Sequence, residues 1–228
     1  MSFLAANLPE WVEPVARYMF TVGLPGTLRI AGIALVGSAL IGILFGTLLT
    51  VDFMPLRAAI RLYVEVWRGL PILVTIFVVF FALPSVSDSL RFDPFTAAAI
   101  GLTLWGSAQV AEATRGAVGS IPREQHEASA ALGFGWLGRH RYVILPQALR
   151  RLLPPFVSLL VNIIQNTTIA QVIGAAELLE TGERSAERLT FTTLNTHAFE
   201  IYGAVAVVFF LISFPLTRLA AYLERRLI

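Results

Sequence analysis

The chain has three histidines, His126, His140 and His197, and none lies in one of its long apolar stretches. An intramembrane serine protease would need a serine with a histidine base at depth, and no such pair is available. There is no His-Glu-x-x-His metalloprotease signature, and no two aspartates face each other within the apolar stretches. Cysteine is absent, which excludes disulfides and thiol chemistry. Lysine is absent too, since all 17 basic residues are arginine. A Walker A loop grips the β/γ-phosphates through its lysine, so this chain is not that kind of ATPase, and it can form no lysine Schiff base. What remains are polar residues set in apolar surroundings. Ser107, Gln109, Glu112 and Arg115 end one apolar stretch, Asn162, Gln165, Asn166, Thr167 and Thr168 interrupt another, and Glu65, Arg68, Gly69 and Pro71 open a third. Such groups are costly at membrane depth and are candidates for a solute path. Glu112 and Arg115 are three apart and share a helix face, so the plain reading is an ion pair that holds their helix to its neighbours. The chemistry on offer is non-covalent binding and passage.

The elements carrying these residues are membrane helices. Hydrophobic residues make up 56% of the 228 and charged residues 14%, against about 25% charged in a soluble domain. A crossing needs roughly 20 mostly apolar residues, and five stretches qualify, at about 23–51, 62–83, 94–118, 148–176 and 199–222. The expected fold is therefore an all-α integral membrane protein of five transmembrane helices, a single domain over 1–228 with little room for a soluble one. Gly42 and Gly46 form a small-xxx-small spacing that suits close packing within the chain. The sequence from Val51 to Arg61 reads as a short polar turn, and Gly69 with Pro71 should loosen the second helix. Pro94 suits a first helical turn. The fourth helix is expected to begin around Pro154-Pro155, and 177–197 reads as a charged loop. Before the first span, Trp11 and Tyr18 fit an amphipathic surface segment. No basic stretch precedes an apolar core there, so no cleaved signal peptide is expected.

Arginine placement sets the orientation. Arg57, Arg61, Arg68, Arg115, Arg123, Arg139, Arg141, Arg150, Arg151, Arg218, Arg225 and Arg226 fall on one side, and Arg17, Arg91, Arg184 and Arg188 on the other. The bias puts the polar insert at about 120–146 and the C-terminus in the cytoplasm, and the N-terminus outside. The formal charge of +2 gives no reason to expect a nucleic-acid partner. Within the insert, Ser120-Ile-Pro122 should cap a helix over 125–132 that Gly133 stops, and Phe134, Trp136 and Leu137 should begin a second short helix. So short an elbow is unstable alone. Ala128, Ala131, Leu132, Phe134 and Trp136 are apolar knobs suited to a groove in a partner.

The insert reads Glu127-Ala128-Ser129, three residues, Gly133, nine residues, Val143, one residue, Leu145-Pro146. This resembles the EAA loop of permease subunits in bacterial type I ATP-binding-cassette importers, with conservative departures at Ser129 and Val143. Further elements are similar to those of the polar amino-acid permeases: Glu65-Val-Trp-Arg68-Gly-Leu-Pro71, Asp93-Pro-Phe-Thr-Ala97, Ala111-Glu112-x-x-Arg115-Gly116, Arg141-Tyr-Val-Ile-Leu-Pro146, Ile173-Gly174-x-x-Glu177-Leu178 and the C-terminal Leu-Glu-Arg-Arg. The resemblance covers nearly the whole chain. It implies a non-catalytic permease of the bacterial inner membrane, working with two ATPase subunits that hold ATP and magnesium. An extracytoplasmic solute-binding protein and a second permease, a copy or a homologue, complete the complex. It assigns ATPase coupling to Glu127, Ala128, Ser129, Gly133, Leu145 and Pro146. Candidates for the substrate path are Arg68, Gly69, Leu70, Pro71, Ser107, Glu112, Gln165, Asn166 and Thr167. No metal or cofactor is expected on this chain.

Many such permeases carry Lys-Asp or Lys-Asn where this chain has Gln165-Asn166, with Thr where it has Leu70 and Gln where it has Thr75. These differences leave two readings: a ligand held through amides and backbone, or a permease that itself holds no solute. The expected function is an ATP-driven importer subunit for polar amino acids. The alternatives are a same-fold permease for another small solute and, on weaker grounds, a channel or secondary carrier, which would work without nucleotide and would not need the elbow.

Overall fold

The computed structural model describes residues 9–227, and the described residues contain helices and no strand. In chain order they are α1 (Val12–Tyr18), α2 (Leu24–Leu48), α3 (Met54–Gly69), α4 (Ile72–Phe77), α5 (Leu83–Val86), α6 (Pro94–Gly119), α7 (Arg123–Ala131), α8 (Trp136–Arg139), α9 (Leu145–Asn166), α10 (Leu178–Thr193) and α11 (Ala198–Leu227). Wide helical turns at Met19–Gly23 and His140–Ile144 join α1 to α2 and α8 to α9, and a tight turn, Thr167–Ile173, extends α9. The continuous rods Val12–Leu48 and Trp136–Ile173, together with α11, are long and apolar enough to cross a membrane. The segment 54–86 qualifies as a fourth if it is taken as one rod bent by 111°.

That bend corrects the expected second span. Leu70 adopts an extended conformation (φ −80°, ψ 140°), because a proline ring excludes the α region from the residue before it. The supposed polar turn over 51–61 is mostly the first half of α3. Pro55 sits in its first turn, where its missing N–H has no partner to lose.

Helix α6 lies at the centre, packed on α2, α3, α4 and α9. It spans nearly the stretch expected of the third crossing, but it is not among the helices apolar enough to cross on composition. Enclosure explains the mismatch: a helix surrounded by protein needs small residues more than large apolar ones. Ala97, Ala98, Gly101, Gly106, Ala108 and Ala111 are all buried on it. Gly42 and Gly46 of α2 press against it. A Cβ on Gly42 would lie 2.7 Å from the Ser107 carbonyl, and one on Gly46 would collide with the Ala111 carbonyl. The small-residue pair is thus an intrachain seam. The surrounding core includes Ile30, Ala34, Ile76, Leu102, Val110 and Ile163.

The fourth rod also differs from expectation. Helix α9 begins at Leu145, with Pro146 in its first turn, and Pro154 and Pro155 lie inside it. The rod, extended past α9 by the Thr167–Ile173 turn, ends where Gly174 turns left-handed at φ 78°, a conformation that glycine adopts without steric cost. The expected loop at 177–197 is largely α10. Leu178, Thr181, Gly182, Ser185, Ala186 and Leu189 are buried at helical spacing, while Glu183, Arg184, Glu187 and Arg188 face out. A helix of mixed charges on a narrow apolar stripe passes for a loop when only the charges are read. At the other end, Trp11 stacks on the His197 ring at 4.4 Å and packs against the cluster of α10 and α11. It is therefore a protein contact more than a surface anchor. The signal-peptide expectation concerns residues 1–8, which lie outside the described residues.

Candidate functional site

Helices α3 and α6 gather one polar constellation. The buried Ser107 hydroxyl donates to the Leu104 carbonyl at 3.0 Å, which leaves the Tyr63 hydroxyl, 2.7 Å away, to donate to Ser107. Two turns of α6 further on, Arg115 reaches both oxygens of Glu112, at 3.1 and 2.5 Å. The expected ion pair is thus formed, in the two-pronged geometry that suits a guanidinium and a carboxylate. Arg68 of α3 stands 4.0 Å from Glu112 and donates to Gln109 at 3.4 Å. Two arginines on one carboxylate link the end of α3, just before the Leu70–Pro71 break, to the middle of the bundle.

Beside this constellation, α6 and α9 enclose a groove of about 440 Å³ whose wall includes Trp105, Gln109, Ser158 and Asn162. That size lies within the range of small-molecule sites. Gln165 is exposed near the end of α9. Asn166 turns its amide back to the Asn162 carbonyl at 2.7 Å, and the buried Thr167 donates to Ile164 at 2.8 Å. Of the three, only Gln165 presents a free side chain. Gly69 and Pro71 are exposed at the break, and α4 beyond it packs against the Thr167–Ile173 turn. The structure therefore brings Arg68, Ser107 and Glu112 to one α3–α6 seam, and Leu70, Pro71 and Thr167 to elements that touch through α4. Gln109 and Asn162 stand out in the sequence as polar residues in apolar helices, yet only the geometry shows that they share a groove. Tyr63 and Trp105 carry no such signal, because aromatics in an apolar helix read as core.

The insert folds as two short helices, α7 and α8, on either side of a turn. Helix α7 ends in a Schellman turn: Gly133, at φ 83°, donates to Ala130 and Phe134 donates to Ser129. Its start is different from the expected cap. Pro122 is the cap residue itself, and the Ser120 hydroxyl closes α6 on the Ala117 carbonyl at 2.8 Å. Glu127, Ala128, Ala131 and Leu132 are exposed, Phe134 and Trp136 are half-buried, and Ser129 is buried. At the foot of α9, Leu145 is half-buried and Pro146 exposed. The elbow is pinned by His140. Its Nδ1 faces the Trp136 carbonyl at 2.9 Å, and its Nε2 faces the Thr50 hydroxyl just past α2 at 3.1 Å. Sequence reasoning placed His140 in the insert without giving it a role.

On the opposite side of the fold, Glu177 is fully buried. It caps α10 by accepting from the Glu180 N–H at 2.7 Å and accepts from Thr27 of α2 at 3.3 Å. Thr27 in turn accepts from Leu178 at 3.0 Å. Gly26 permits this approach, since a Cβ there would collide with the Ala176 carbonyl. Burial is the main cause that pushes the Glu177 carboxyl above its usual range, partly offset by its hydrogen bonds. Among the described residues no group of three histidine, aspartate or glutamate side chains is placed to hold a metal ion.

Residues 13–228 match the family described as binding-protein-dependent transport system inner membrane component. The chain is 40% identical over 201 residues to the glutamine transport system permease protein GlnP of Escherichia coli K12, covering 88% of this chain and 89% of that one. It is 33% identical over 209 residues to the probable glutamine ABC transporter permease protein GlnM of Bacillus subtilis, covering 92% and 93%. Among solved structures, an amino acid ABC transporter crystallised with histidines has a similar chain, with TM-score 0.79 and 27% identity over 96% of this chain and 99% of that one. The inward-facing MetNI methionine transporter shares the fold, with TM-score 0.74 and 18% identity over 97% and 100%. This chain is an inner-membrane permease of the binding-protein-dependent transport family.

Proposed function

We propose that the chain forms the translocation path of an ATP-driven importer for polar amino acids, of which glutamine is the first to test because the similar permeases are named for it. The observation that carries the coupling part is α7. It is a helix of nine residues closed by the Gly133 turn, with Glu127 and its apolar neighbours turned outward, and the α8 end of the insert is pinned to Thr50 by His140. A helix this short needs a partner to pack on, and its exposed apolar face suits a groove in an ATPase subunit. Ala128, Ser129, Gly133, Leu145 and Pro146 shape the elbow around Glu127.

In this reading the chain crosses five times. The bent segment 54–86 is the second crossing and α6 the third, and the arginine bias puts α7 and the C-terminus in the cytoplasm. Two ATPase subunits hold ATP and magnesium, a second permease completes the path, and a solute-binding protein delivers the ligand from outside. ATP closes the ATPases, the elbow carries that motion into α6 and α9, and the path opens outward. Dissociation after hydrolysis returns it inward. The groove between α6 and α9, with Gln109 and Asn162 offering amides, lines the path, and the exposed Gln165 extends it toward the end of α9. The Arg68–Glu112–Arg115 array and the Leu70–Pro71 break let α3 and α4 shift against α6.

The test is purification of the intact complex through a tag on this chain, with uptake measured in parallel. Glu127→Arg should release the ATPase and abolish uptake while leaving the permease folded. Alanine at both Gln165 and Asn166 should change uptake kinetics without loss of assembly. An isolated chain that moves solute without nucleotide would overturn the importer reading, and unchanged kinetics in the double variant would remove Gln165 and Asn166 from the path.

A further inference from the structure

An apolar groove lies apart from the proposed path, between the last turns of α2 and the start of the fourth rod. It measures about 680 Å³, and Leu40 and Leu44 form one wall while Trp136, Leu137, Arg141 and Leu149 form the other. We infer that this groove holds one anionic phospholipid, with an acyl chain along α2 and α9 and its phosphate on Arg141.

Three observations favour that occupant. The groove is the end of a continuous apolar stripe on α2, because Leu28, Ile33, Val36, Leu40 and Leu44 are all exposed on that helix. In an inner-membrane protein such a stripe lies against acyl chains. The groove also sits where α2 ends, and Trp136 lines it, as tryptophan does at the headgroup level of a membrane. Finally, Arg141 is the charged residue on its wall. It is exposed, it pairs with no carboxylate among the described residues, and its guanidinium rests over the Tyr142 ring at 5.7 Å. A guanidinium fork fits a phosphate, and basic pockets between membrane helices take anionic headgroups. His140, which ties the elbow to Thr50, shares this wall, so the bound lipid braces the joint between α2 and the elbow.

Brominated lipids test this on the whole complex in vesicles. Phosphatidylglycerol and phosphatidylcholine carrying the same brominated chains are compared at equal low fraction, and the Trp136 fluorescence is taken as the difference from Trp136→Phe. The anionic lipid should quench about fivefold more effectively, the preference expected of one arginine near an anionic headgroup. Arg141→Gln should bring the two lipids to equality, and Arg141→Lys should keep much of the preference. Equal quenching in the unaltered complex means ordinary annular contact and overturns the proposal. Absence of quenching by either lipid means that protein covers the groove and overturns it as well. If Arg141→Gln does not assemble, the lysine variant and the unaltered complex still decide. The readout needs neither ATP nor substrate, so it stands or fails separately from the importer reading.

Discussion

Glu177 shows how one side chain can join two distant parts of this fold. Its carboxyl has no solvent contact, so charge there is opposed by burial and supported by the Glu180 and Thr27 hydrogen bonds. Since burial raises its pKa, folding favours the protonated form. Its contribution to stability is complete below the ordinary carboxylate range and is lost as pH rises through the raised pKa. Glu177→Gln should therefore fold well and flatten that part of the pH–stability curve, as read by thermal unfolding in detergent. Glu177→Ala, which strips α10 of its cap and leaves Thr27 unsatisfied, should cost about 1–3 kcal/mol. Identical pH profiles for Glu177→Gln and the unaltered chain would contradict this. Asp93 behaves in the opposite sense. The Thr96 hydroxyl is the main cause that holds its carboxyl below the usual range, so its cap on α6 is intact above that range and is lost as pH falls through the lowered pKa. Asp93→Ala should cost about 1 kcal/mol at neutral pH and close to nothing in strong acid. Both residues stand in recognisable motifs of the sequence. Their work as caps is not legible there, because 177–197 reads as a charged loop and Asp93 carries no signal beyond standing before Pro94.

At the scale of elements, the positions most sensitive to change are the ones where backbones touch. Gly46→Leu drives a side chain into the Ala111 carbonyl and Thr114. It should cost more than the 1–3 kcal/mol of ordinary overpacking and should show as loss of the folded complex on size-exclusion chromatography. Gly133→Ala is milder. It forces a Cβ into a left-handed residue at φ 83°, at about 1–2 kcal/mol. It should lower coupled uptake with little effect on the thermal transition of the bundle, since α7 stands outside it. The long apolar rods, the short helix in the insert and its Gly133 stop were legible in the sequence, because length, periodicity and a single glycine are local signals. It did not reveal the 111° bend, the real start of α9 or α10. Pro55, Pro71 and Pro154 each allow more than one local outcome, and what decides among them is packing against α6. The polarity of α6 is itself intelligible only once α2, α3, α4 and α9 enclose it.

For the whole molecule, the proposed import cycle makes the long rods, the central helix α6 and the outlying α7 one device, in which motion applied at α7 would pass to the α6–α9 groove through α9. Membership in the transport family and the likeness to amino-acid permeases are what favour that proposal, and the arginine bias is what would give it a direction. The central claim is that solute movement through this chain is driven by ATP through the elbow at Glu127. The most direct measurement is glutamine uptake into sealed vesicles holding the purified complex and its binding protein, with ATP supplied on the α7 side. Uptake should require ATP and the binding protein and should fall to background in Glu127→Arg, while the variant chain keeps its thermal transition. Uptake that continues without ATP, or that survives Glu127→Arg undiminished, would contradict the account.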